Sequence, residues 1–173
     1  MRHALLLPAA WLLLFCAAQP ASTQPASAQS AADPAAACAA NDGTYLTGTV
    51  LSAPHFAHGH PRDGIELSHS LLTLKADQDG KTYQVAMDNV FAAGYDSANP
   101  KHQVPAPLSS IKQGDKLALC GATYTNPLGI HFVHTNCGAA PTQAAPNGSV
   151  EELKDGTPGD NLENSPEYCR LWP

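Results

Sequence analysis

Residues 65–87 read IELSHSLLTLKADQDGKTYQVAM, and their periodicity decides the fold class. The apolar set Ile65, Leu67, Leu71, then Leu72 and Leu74 follows the alternation of a half-buried strand. Its parity changes at Leu71-Leu72, which predicts a bulge or sharp bend in a long second strand over Ile65 to Lys75. Asp77-Gln78-Asp79-Gly80 has the residues of a tight hairpin turn. Lys81 to Met87 then forms a third strand, with Tyr83, Val85 and Met87 on one face.

Working outward, Tyr45 to Leu51 is β-rich and alternating, a first strand. Pro54 to Gly64 holds two Pro, two Gly and three His and reads as a loop. After the third strand, Asp88 has the chemistry to cap a short helix through Val90, Phe91 and Ala93. Asn99 to Pro107 is loop, and Leu108 to Gln113 leads to a Gly114-Asp115 turn. Lys116 to Tyr124 is a fourth strand, in which Gly121 leaves room for close packing. Asn126-Pro127-Leu128-Gly129 turns the chain into a fifth strand, Ile130 to Thr135. Five short strands, with an irregular connection between the third and fourth, follow the order of an OB-like small barrel. A two-sheet sandwich is the alternative.

Gly48-Thr49-Val50, the Gly114-Asp115 turn, and Ile130-His131-Phe132-Val133-His134 ahead of Pro146-Asn147-Gly148 resemble a family of small secreted bacterial OB-like domains of unknown function. The chain departs from that family at Phe132 and Ser149, where the family carries Trp. The resemblance implies the barrel fold and supplies no activity.

Both ends differ in composition from the barrel. Arg2 and His3 precede an apolar run from Leu5 to Ala18 that contains Trp11 to Phe15. Such a run, about 14 residues long, is short of the about 20 needed to cross a bilayer. Ala26-Ser27-Ala28 supplies the small residues of a cleavage site, with Cys16-Ala17-Ala18 an earlier option. The organisation expected is therefore a signal peptide over 1–28 and a disordered lead-in over 29–41. The barrel follows at 42–137, and then an irregular tail over 138–173 packed on it. No other segment is apolar enough to insert into a membrane. Export leaves four cysteines, Cys38, Cys120, Cys137 and Cys169, which read as two disulfides with three possible pairings.

Without Arg2 the chain has 8 basic against 15 acidic residues, a charge of −7. That argues against nucleic-acid partners, whose binding needs Lys and Arg on phosphates. Histidine is the unusual residue: His55, His58 and His60 cluster in one loop, and His131 and His134 sit three apart. Neutral imidazole is a common ligand for Zn and Cu, so these five are the candidate metal ligands, with Asp63 or Glu66 to complete or orient the set. Residues three apart on a strand point to opposite faces, so one of His131 and His134 is expected to face solvent. His69, between Leu67 and Leu71, reads as a satisfied core or rim histidine. Asn147-Gly148-Ser149 matches a glycosylation sequon and reads as a turn. There is no GxSxG, phosphate-binding Gly-rich loop or CxxC. The expectation is a secreted or periplasmic non-catalytic binding module. Its ligand, peptide or envelope partner would lie near the strand 1–2 loop and the end of strand 5. The alternatives are a Zn or Cu protein using His55 to His60, and a small secreted hydrolase.

Overall fold

The structure is a computed structural model that describes residues 33–95 and 102–172. The expected signal peptide lies outside the described residues. A short helix α1 (Pro34–Ala40) is capped by Asp33, whose side chain accepts from the Ala35 amide, with Pro in its first turn. Then come β1 (Thr44–Ala57), β2 (Pro61–Arg62), β3 (Ile65–Glu66), β4 (His69–Ala76) and β5 (Thr82–Asp88). A 3₁₀ turn (Asn89–Phe91) and helix α2 (Ala106–Ser109) lead to β6 (Lys116–Thr125) and β7 (Leu128–His131). The tail carries β8 (Ser149–Lys154), β9 (Thr157–Pro158) and a 3₁₀ turn (Cys169–Leu171).

Five strands close on themselves in the order β1-β4-β5-β7-β6, with β6 pairing back onto β1. Among the described strands, only β5 and β7 run parallel. This is the five-stranded, OB-like barrel expected, and it is filled by the alternating inward residues. Leu46 and Val50 of β1, Leu72 and Leu74 of β4, Val85 and Met87 of β5, Leu117 and Leu119 of β6 and Ile130 of β7 form one core. Gly121 does lie where packing is close, since a Cβ there would strike the His131 carbonyl.

The irregularity sits on a different strand from the one expected. β4 pairs with β5 without a break from His69 to Lys75. Both register shifts of the β1–β4 pairing fall on β1, between Val50 and Ser52 and between Ser52 and His55. There Leu51 is turned outward and Pro54 interrupts the ladder. The parity change at Leu71-Leu72 has another cause. Ile65 and Leu67 belong to the small β2–β3 ribbon and its exit, and they pack on a second core with Phe91, Tyr95, Tyr168 and Leu171. β1 also runs on to Ala57, so His55 sits on a strand, opposite Leu71.

The two disulfides are Cys38–Cys120, which ties α1 to β6, and Cys137–Cys169, which ties the tail to the segment beyond β7. The C-terminal extension is not wholly irregular. β8 lies antiparallel beside β6, from Cys120↔Ser149 to Leu117↔Glu152, and adds a β8–β9 hairpin to the barrel wall.

Candidate functional site

His69 and Asp88 face each other directly across the β4–β5 ladder. The His69 Nε2 meets Asp88 Oδ1 at 2.7 Å. The second oxygen, Oδ2, meets His134 Nε2 at 3.0 Å. Asp88 precedes the 3₁₀ turn, yet its side chain caps nothing; both imidazoles have taken it. Next to it Asn89 is buried and bonded, accepting from Ser70 Oγ at 2.6 Å and donating to Ser68 Oγ at 2.9 Å. A buried polar group without partners is costly, so this network fixes the backbone that carries Asp88.

His134 arrives by a break in β7. The strand ends at His131, and Phe132 takes a left-handed backbone, φ +53°. That turn cancels the strand alternation. His131 and His134 therefore line the same cleft, where sequence spacing had assigned one of them to solvent. His134 is 6% exposed, and its ring stacks flat on Phe91, centroids 3.9 Å apart. Its Nδ1 lies 2.6 Å from the Thr135 carbonyl. A carbonyl only accepts, so Nδ1 is the donor in that contact.

Burial works against the charge on Asp88, but the hydrogen bonds and charges of His134 and His69 outweigh it and hold its pKa far below the usual carboxylate range. The bond to Asp88 raises the His69 pKa. Burial lowers that of His131, and the charges of His134 and His69 push the same way against Asp88. Behind Asp88 lies Glu163, fully buried, both carboxyl oxygens without a hydrogen-bond partner. Burial, and next the Asp88 charge, push its pKa well above the normal value; the Asp88 amide acts the other way, outside hydrogen-bond geometry. Glu163 is thus a neutral acid against an ionised one. Asn161 holds it in place by accepting from the Glu163 amide.

His69, Asp88, His131 and His134 form the floor of a cleft of about 310 Å³, walled by His60, Leu67, Phe132 and Trp172. The cleft lies between the β1–β4 connection and the end of β7. Trp172 is placed by the last 3₁₀ turn, packs on Phe91 at 5.0 Å and carries Arg62 above its ring.

The five histidines expected as metal ligands do not assemble. His55 is exposed on β1, His58 Nδ1 pairs with Glu66 at 2.7 Å, and His60 turns to the cleft that holds His131 and His134. The His58 bond is the main cause of a lowered Glu66 pKa. Asp63 is exposed in the β2–β3 turn. Among the described residues no three His, Cys, Asp or Glu side chains are arranged to hold a metal ion. Sequence reasoning missed Asp88, Glu163 and Trp172 as site residues. The only signal was an acid placed opposite His69 once the hairpin register is drawn. No protein family, curated protein or solved structure matches the chain.

Proposed function

We propose that the chain is a secreted or periplasmic binding module without catalysis, and that its ligand enters the cleft over His69, Asp88 and His134. One observation carries the reading. A His–Asp–His cluster, in which His134 is buried and Asp88 is bonded at both oxygens, lies in a cleft with two aromatic walls, where convergent polar groups meet apolar surface. Rigid polar groups of this kind orient a ligand. Ser68 and Ser70, which flank His69, are buried with their hydroxyls engaged by Asn89 and Tyr95. All four cysteines of the barrel and its extensions are bridged, which removes thiol chemistry and suits an oxidising compartment.

The test uses the oxidised protein with Trp11 replaced by Phe, so that Trp172 is the one indole. Free amino acids, monosaccharides, nucleosides, phosphate esters, short carboxylates and tripeptides are titrated while Trp172 fluorescence and the ring signals of ¹⁵N-labelled histidines are followed. At least one class is expected to give a saturable change that moves His69, His131 and His134 together. No saturable change, or one confined to His55 and His58, would overturn the reading. So would turnover of an ester or peptide panel that disappears in His69→Ala.

A further inference from the structure

The chain has a net charge of −6, yet its cleft is lined by His60, His69, His131 and His134. Arg62, outside the cleft's own lining, stands over one of its walls, its guanidinium 5.4 Å from the centre of the Trp172 ring. The two acids near the floor offer no free negative charge. Asp88 has an imidazole on each oxygen, and Glu163 is buried out of reach. A second cleft of about 130 Å³ adjoins the first and shares Phe132, His134 and Trp172 with it. Its other walls, among them Phe91, Ala139, Ala140 and Pro146, are mostly apolar.

Resting on the reading of the larger cleft as a binding site, we infer that the ligand is a small organic monocarboxylate with an aliphatic tail. Its carboxylate is received by His69 and His131 beneath Arg62, and its tail runs along Phe132 and Trp172 into the smaller cleft. A single arginine and imidazoles suit one negative charge better than the two of a phosphate monoester. At about 30 Å³ for each water-sized group, the smaller cleft takes about four methylenes.

The experiment titrates acetate, butyrate, hexanoate and octanoate against the same protein at pH 6, with 1-hexanol and hexylammonium as neutral and cationic counterparts. Each buried methylene tightens binding by about fourfold, so hexanoate, with four more methylenes than acetate, is expected to bind tighter by up to about 250-fold when all four are buried, with the gain levelling off at octanoate. Hexanol and hexylammonium are expected to bind at least about tenfold more weakly than hexanoate. Ala145→Phe, which fills the smaller cleft, brings the hexanoate-to-acetate ratio toward one, and Ala140→Leu does the same by a second route. Equal binding of acetate and hexanoate overturns the tail, and hexanol binding as tightly as hexanoate overturns the anion. If no carboxylate binds while another class in the wider panel moves the cleft histidines, the inference fails and the binding site stands.

Discussion

Replacing Glu163 by Gln keeps the shape of the side chain and removes its titration. In the folded protein Glu163 is buried beside Asp88 and holds its proton above the normal range. In the unfolded chain it releases that proton near pH 4.3. Its folded pKa is therefore the higher one, and the stability linked to it is complete below about pH 4.3 and lost as pH rises toward the folded pKa. The rate of loss is set by linkage, at about 1.4 kcal/mol for each pH unit and each proton. Asp88, whose charge acts on Glu163, stays ionised from pH 4 to 7, so the difference in unfolding free energy chiefly reports Glu163. The carboxyl oxygens have no hydrogen-bond partner. A buried amide inherits the same lack, which keeps the offset at pH 4 within about 1–2 kcal/mol. Urea unfolding followed by circular dichroism at pH 4, 5, 6 and 7 measures the difference directly. Glu163→Gln is expected to gain on the wild type by about 1.4 kcal/mol per pH unit above pH 4.3 until the folded pKa is reached. Glu163→Met should show the same slope. A difference that stays flat from pH 4 to 7 would mean that Glu163 is not held as a neutral acid, and the account of the cluster floor would fall with it.

Asp88→Asn leaves an amide able to accept from His69 and donate to His134, so the fold should persist with a loss of about 1–2 kcal/mol at pH 6 as charged hydrogen bonds become neutral. The Asp88 bond is the main cause of the raised His69 pKa, so NMR titration should find it lowered in the variant; an unchanged titration would refute the pairing. Converting Cys137 and Cys169 to Ser opens a loop with a sequence separation of 32, and chain entropy puts the cost at about 3–4 kcal/mol in urea unfolding. Trp172 follows Cys169 closely and should lose its response to cleft ligands in the same variant. Gly148→Ala would drive a methyl group into the backbone carbonyls of Phe132 and Cys120, neither able to swing away. It should cost about 1–3 kcal/mol and shift the Phe132 ring signals, whereas wild-type stability would show that the tail does not brace the turn at Phe132.

The barrel was legible because its signals are local. Alternation through Leu72, Leu74, Val85 and Met87, and the Asp77–Gly80 turn between them, depend only on neighbours in the chain. So does the count of four cysteines, though not their pairing, which depends on where α1 and the tail come to rest. The site was harder to read because each of its parts comes from a different segment. His69 was correctly read as a satisfied histidine, but its partner was assigned elsewhere: Asp88 stands where a helix cap is expected and its side chain is claimed across the sheet instead. His131 and His134 were separated by strand parity, a sound rule that fails at Phe132, where a left-handed residue ends the strand. The His55–His60 run had the composition of a metal loop, but β1 continues through His55 and keeps it away from the other two.

Glu163 and Trp172 were invisible for a further reason. Both lie in a segment without periodicity, and their places are set by contacts distant in sequence: Asn161 and the Thr135 amide for Glu163, Phe91 and Arg62 for Trp172. The tail therefore does more than cover the barrel. It supplies the acid behind Asp88 and one aromatic wall of the cleft, and the Cys137–Cys169 bridge pins it to the segment that carries His131 and His134. A barrel lacking the tail would keep the His69–Asp88 pair, which the β4–β5 register alone creates. It would lose the wall and the neutral acid, so the cleft is a product of the extension as much as of the barrel.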